Sequence, residues 1–339
     1  MRGAARLAVT AGITPLVVGL TVVAFGTSSP EMAVSVMATY SGPSGSQIAL
    51  GNVVGSNIFN VLFILGLSAI ITPLVVSLQL LRLDVPVMVG VSLLMYLLAL
   101  DGSISKLNGL LLFTGIIAYT VFVVIEGRKE QKKHTTEFET EYGETAKSQS
   151  QIMIDIFFIL IGLALLVLGS NWLVKGAIDI ARFLGMNEFI ISLTIVAAGT
   201  SLPEVATSVM ASIKGERDIA VGNIIGSNIF NILCVLGLSA AVSPAGIDVS
   251  QVALHFDIPV MLAVAAICLP IFFTGTQVSR GEGILLLGWY VIYVSYLVLS
   301  GTNSEGLGIL TGIVMYLVVP LSLIYIAYTI YQQFETKKG

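Results

Sequence analysis

Charge is scarce in this chain. Only 11% of its 339 residues are Asp, Glu, Lys or Arg, where soluble domains carry roughly a quarter. That excludes an ordinary soluble domain, and the net charge of −4 argues against nucleic acid, which favours a basic surface. Cysteine and histidine are rarer still, with two of each. Cys234 and Cys268 lie in separate apolar runs and read as core packing. His134 and His255 read as surface or interface residues. No cleavable signal peptide is evident, because the apolar run after Arg2 and Arg6 leads straight into a membrane motif.

What is present is hydrophobic. The apolar content is 56% and the mean hydropathy +0.96. Charge-free runs of about twenty residues, long enough to span a bilayer as helices, recur throughout. They predict an all-α polytopic membrane protein with about ten spans, near 11–39, 47–75, 84–100, 108–126, 152–174, 187–212, 218–243, 254–273, 282–300 and 307–331. The one long charged stretch, Glu126 to Gln151, is too short for a domain and reads as a solvated linker.

Lysine and arginine orient the spans. With the N-terminus inside, Arg2, Arg6, Arg82, Arg128, Lys129, Lys132, Lys133, Lys147, Lys214, Arg217, Arg280, Lys337 and Lys338 are all cytoplasmic, and only Lys106, Lys175 and Arg182 fall outside. This asymmetry predicts both termini inside.

A polar phrase is written twice. "ALGNVVGSNIFNVLFILGLSA" (Ala49 to Ala69) returns as "AVGNIIGSNIFNILCVLGLSA" (Ala220 to Ala240), and "GTSSPE" (Gly26 to Glu31) returns as "GTSLPE" (Gly199 to Glu204). The first copy enters the membrane from one side and the second from the other, the pattern of an inverted-repeat transporter with its site near the midplane. Pro30 and Pro203 should break their spans, and such breaks persist where protein or a cavity satisfies the backbone.

Glu31 and Glu204 are the costly residues. An intramembrane acid costs about 2.5–3.5 kcal/mol by insertion scales, and no basic residue lies in the four motif spans. A metal ion or a proton must then neutralise them, unless they merely face an aqueous crevice. Ser56 with Asn60, and Ser227 with Asn231, each share a helix face, and Thr27 and Thr200 stand four residues before the glutamates. Gly51, Gly55, Gly222 and Gly226 would let the repeats approach closely. Two carboxylates among neutral oxygens suit a hard cation such as Ca²⁺, whereas zinc or copper would recruit nitrogen or sulfur. No other cofactor is expected.

These motifs, in both copies at matching spacing, resemble the two α-repeats of the sodium/calcium exchangers, within the cation/calcium antiporter superfamily. The resemblance covers about residues 1–300. It implies alternating access, with Ca²⁺ moving against Na⁺. It further implies Glu31 and Glu204 as shared ligands and Ser56, Ser227, Thr27 and Thr200 at Na⁺ sites with the carbonyls of Ala24 and Ala197. Asn60 and Asn231 would then line the centre, and Ser28 and Ser201 the edges. A monomer in a prokaryotic plasma membrane, contacting lipid and these ions, is the implied setting.

Three features depart from the family pattern. Asn231 stands where many relatives carry Asp, so the pocket holds two formal negative charges and the Na⁺ stoichiometry is open. The family begins with a span before the first motif, whereas "MRGAARLAVTAGI" (Met1 to Ile13) resembles "VKGAIDIARFLGM" (Val174 to Met186), which follows a span. An extra span at 307–331 either packs in the place of that first helix or is peripheral. The expected organisation is a first repeat over 1–127, a cytoplasmic linker over 128–151, a second repeat over 152–300, and an extra helix with a basic tail over 301–339.

Three activities compete, with a passive channel as the remainder. Na⁺/Ca²⁺ exchange leads, since Ca²⁺/H⁺ exchange on the same glutamates needs fewer neutral ligands. An intramembrane serine hydrolase would need a base, and the motif spans offer no His or Lys. A passive channel suits broken helices and a closed carboxylate site less well than an antiporter does.

Overall fold

The computed structural model describes residues 14–40, 42–142, 191–273, 276–301 and 304–336, with scattered positions between 153 and 179. The segment Met1 to Ile13 and ten of the 23 residues of the expected span at 152–174 lie outside the described residues. Hydrocarbon offers no partner for backbone N–H and C=O groups, so spanning segments pair them internally as helices.

In the first repeat these are α1 (Pro15–Thr27), α2 (Ser29–Thr39), α3 (Gly45–Ile71), α4 (Leu80–Ala99) and α5 (Lys106–Tyr142). In the second they are α6 (191–200), α7 (Leu202–Ile213), α8 (Arg217–Val242), α9 (Ala253–Phe273) and α10 (Arg280–Gly301), followed by α11 (Gly306–Gln332). Among the described residues seven helices are long and apolar enough to span a membrane, and α1 with α2 makes an eighth, bent by 45°.

The breaks fall where the sequence predicts. Ser28 (φ −82°, ψ 8°) and Ser201 (φ −84°, ψ 8°) leave helical geometry. Pro30 and Pro203 follow within the first turn of α2 and α7 and supply no N–H to the residues four earlier, Gly26 and Gly199. The repeats also share π-helical turns, at Asn60–Leu65 and Asn231–Leu236, and at Leu80–Asp84 and Ala253–Asp257. Such turns concentrate at functional sites.

The two repeats interlock rather than stand side by side. The apolar stretch of α8 is wholly enclosed, and that of α3 largely so. Gly226 shows why a small residue is needed: a Cβ there would lie 2.7 Å from the Leu20 backbone in α1. Gly222 meets Leu16 in the same way, at 2.9 Å from its carbonyl oxygen. Two short strand pairs join the repeats at their loops. β1 (Leu74–Val75) runs antiparallel to β4 (Gln277–Val278), and β2 (Ser103–Ile104) to β3 (Ile247–Asp248).

Two further segments extend beyond the repeated core. The charged stretch after Glu126 does not leave the helix: α5 continues to Tyr142. Its Glu, Lys and Gln residues are good helix formers, and Lys129 pairs with Glu126 one turn earlier at 3.0 Å. Helix α11, for which the sequence leaves open the place of a first-repeat helix or a peripheral one, has α9 and α10 of the second repeat as its main partners among the described residues. Ser322 accepts from the Trp289 indole at 3.1 Å, and the Tyr325 hydroxyl lies over Gly281. Elsewhere α11 stands off across an apolar cavity of about 440 Å³, as a peripheral helix does.

Candidate cation site

Every residue expected at the site is buried, none more than 4% exposed. The broken helices set them. Where α1 stops, Ser28 leaves the helix and its hydroxyl crosses to the other repeat, donating to Glu204 Oε1 at 2.8 Å. Ser201 does the same toward Glu31 Oε1, also at 2.8 Å. Both serines were expected at the edge; the structure puts them directly on the carboxylates.

The threonines before the breaks follow the same crossed pattern. Thr27 Oγ1 lies 3.1 Å from Asn223 Oδ1, and Thr200 Oγ1 lies 3.1 Å from Asn52 Oδ1. Asn52 in turn donates to Ser35 Oγ at 3.0 Å, and Asn223 to Ser208 Oγ at 2.9 Å. The Ala24 and Ala197 carbonyls already accept the N–H groups of Ser28 and Ser201, at 2.9 and 3.2 Å. Ser56 Oγ approaches the Ala197 carbonyl at 3.4 Å.

The centre is formed by the π-helical turns. Helix α2 packs on the turn that begins at Asn231, and α7 on the one that begins at Asn60. Asn60 Nδ2 donates to Asn228 Oδ1 at 3.0 Å, and Asn231 Nδ2 to Asn57 Oδ1 at 3.1 Å.

Once these bonds are made, particular oxygens are left over. Glu31 Oε2, Glu204 Oε2, Asn60 Oδ1, Asn231 Oδ1 and Ser227 Oγ are buried without a hydrogen-bond partner. Buried polar groups are nearly always satisfied, and an orphaned one costs roughly 1–3 kcal/mol, more when charged. No Lys, Arg or His stands at 14–40, 45–71, 191–213 or 218–242 to neutralise the acids. Two carboxylate and two amide oxygens, all neutral or negative and without nitrogen or sulfur ligands, suit a hard cation.

Sequence reasoning missed the supporting amides Asn52, Asn57, Asn223 and Asn228, although all four stand in the quoted repeat. It also missed a second repeated phrase, "DVPVM" (Asp84 to Met88) and "DIPVM" (Asp257 to Met261). Tyr119 donates to Asp84 Oδ1 at 3.0 Å and Tyr293 to Asp257 Oδ1 at 3.5 Å. The methionines reach the site's amides.

Comparison with known proteins agrees with this architecture. The pattern defining the sodium/calcium exchanger protein family matches residues 1–125 and 154–299. The inner membrane protein YrbG of Escherichia coli (strain K12) is 38% identical over 291 residues, 85% of this chain and 88% of its own. The sodium/calcium exchanger MaX1 of Methanosarcina acetivorans is 35% identical over 325 residues, covering 87% of this chain and 92% of its own. A structure of the sodium-calcium exchanger NCX_Mj, soaked with 2.5 mM Na⁺ and 0.1 mM Ca²⁺, superposes with a TM-score of 0.71 at 29% identity, over 86% of this chain and 90% of that one. With its crossed repeats and matched pattern, the chain belongs to the sodium/calcium exchanger family, as an integral membrane antiporter and not an enzyme.

Proposed function

We propose that this protein exchanges Ca²⁺ for Na⁺ by alternating access, with Glu31 and Glu204 as ligands that both ions share. The observation that carries this reading is the set of unpartnered buried oxygens on Glu31, Glu204, Asn60 and Asn231, in a region without a basic residue. Two carboxylates balance one Ca²⁺, and the amide oxygens add neutral ligands. Thr27, Thr200, Ser56 and Ser227 lie close by as ligands for Na⁺, with the Ala24 and Ala197 carbonyls beside them.

Competition then follows from shared ligands. Ca²⁺ and Na⁺ cannot both occupy Glu31 and Glu204, so one displaces the other. A filled, neutralised pocket can be enclosed, while the bare dianion resists leaving water and blocks an empty return. Three Na⁺ against one Ca²⁺ would move one net charge, about 2.3 kcal/mol per 100 mV; two Na⁺ would move none. Both halves of the site lie in one chain, so a monomer suffices. The excess of Lys and Arg in the loops supports a topology with both termini in the cytoplasm.

Ca²⁺/H⁺ exchange is the second reading. Asparagine at both central positions leaves two acids, and two protons neutralise them as well as one Ca²⁺ does. Uptake of ⁴⁵Ca²⁺ into proteoliposomes, with the membrane potential clamped, separates the two. An outward Na⁺ gradient driving uptake supports Na⁺ exchange, and uptake driven by an outward H⁺ gradient alone overturns it.

A further inference from the structure

Glu31 and Glu204 supply the charge at the site but do not determine which way the central asparagines face. An amide can present its oxygen, which attracts a cation, or its NH₂, which repels one. At Asn60 the NH₂ is engaged: Nδ2 donates to Asn228 Oδ1 at 3.0 Å, and Asn60 Oδ1 remains buried without a partner. Asn228 then directs its own Nδ2 to Met88 Sδ at 3.4 Å. A thioether has lone pairs and no hydrogen, so it accepts and never donates.

The other repeat contains the mirror chain. Asn231 Nδ2 donates to Asn57 Oδ1 at 3.1 Å. Asn57 Nδ2 reaches Met261 Sδ at 3.7 Å and the Asn228 carbonyl at 3.3 Å. In both chains the N–H that links one amide to the next runs toward the methionine, and the oxygens of Asn60 and Asn231 are left over. Turning one amide over would set oxygen against oxygen, or oxygen against sulfur.

We propose that Met88 and Met261 are positioning residues for cation binding. As acceptor-only ends of the two amide chains, they hold the oxygens of Asn60 and Asn231, not their NH₂ groups, toward the ion. Each sulfur is itself held in place, because both methionines are buried and each lies one turn beyond an aspartate bonded to a tyrosine of the next helix, Asp84 to Tyr119 and Asp257 to Tyr293. This inference rests on the cation site proposed above.

The test is equilibrium binding of ⁴⁵Ca²⁺ to the purified full chain, with Met88→Leu made alone and together with Asn60→Asp. Leucine keeps the volume and removes the acceptor, and such swaps are well tolerated in cores. Alone, Met88→Leu is expected to weaken binding by about 3- to 10-fold, the worth of one ordinary hydrogen bond. A carboxylate at position 60 has no N–H to give, so Asn228 turns its NH₂ toward it and its oxygen toward residue 88. The sulfur is then unwelcome, and Met88→Leu in the Asn60→Asp background is expected to leave binding unchanged or tighten it.

An equal loss in both backgrounds would mean that Met88 acts by packing alone, and overturns the proposal. So would no loss in the unsubstituted background. If the unsubstituted chain binds no Ca²⁺, the site reading itself fails, separately from the methionines. Should Met88→Leu not fold, the same cycle with Met261→Leu and Asn231→Asp reads the mirror chain.

Discussion

Ser28 and Glu204 belong to different repeats, yet the serine hydroxyl donates to the glutamate carboxylate at 2.8 Å. Ser201 and Glu31 mirror the bond at the same distance. A hydrogen bond to a charged group is worth about 1.5–3 kcal/mol. Ser28→Ala and Ser201→Ala are each expected to raise the KM for Ca²⁺ about ten-fold or more, by similar factors, in proteoliposome uptake. A large loss from only one of them would break the symmetry on which the site reading stands.

Neutralising either acid should stop Ca²⁺ transport without unfolding the protein. Glu31→Gln and Glu204→Gln are each expected to abolish ⁴⁵Ca²⁺ uptake while eluting as folded, monodisperse protein. Full transport by either variant would remove that residue from the ligand set.

The same acids predict a thermal signature. In chelator, the two buried carboxylates lack a counter-ion, and relieving one of them should raise Tm above that of the unsubstituted chain. Added Ca²⁺ at about 100 Kd should stabilise the unsubstituted chain by about 2.7 kcal/mol and leave Glu204→Gln nearly unmoved. Differential scanning fluorimetry with and without Ca²⁺ reads both effects.

Close packing between α1 and α8 leaves no room at Gly226. Gly226→Ala would put a Cβ 2.7 Å from the Leu20 backbone, and overpacking typically costs about 1–3 kcal/mol. A lower Tm and reduced uptake are expected together. Gly90→Ala, inside α4 where nothing lies within 4 Å of a Cβ, is the control: it should leave uptake unchanged and not lower Tm, since alanine favours the helix.

The aspartate–tyrosine pairs differ in strength. Tyr119 to Asp84 measures 3.0 Å and Tyr293 to Asp257 measures 3.5 Å, the latter at the limit of a hydrogen bond. Tyr119→Phe should therefore destabilise the protein more than Tyr293→Phe, read as Tm in a common detergent. The reverse order would show that the hydroxyls are not what these tyrosines contribute.

Much of this was legible in the sequence because its signals are local. Pro30 and Pro203 announce the breaks, and Glu31 and Glu204 stand out as acids in greasy spans without a basic partner. The crossed bonds were not legible. Ser28 sits three residues from Glu31 in sequence but serves Glu204, and nothing in either copy shows that its polar groups face the other copy. Met88 and Met261 read as ordinary apolar residues, since a thioether acceptor leaves no trace in hydropathy. The position of α11 also could not be read, because an apolar helix exposed on most sides carries no marker of its neighbour.

The strand pairs β1 with β4 and β2 with β3 act as stitches. Each fastens a loop of one repeat to a loop of the other through backbone hydrogen bonds, extended by Val76 N–H to the Thr276 carbonyl at 2.7 Å and Val249 N–H to the Gly102 carbonyl at 2.9 Å. The strands flank α3 and α4 in one repeat and α8 and α9 in the other, so the central frame is sewn at two places related by the repeat symmetry. A frame fastened in this way cannot gape like a clam shell without unpicking one seam. Among the described residues α1 and α6, which lead into the two breaks, carry no such stitch.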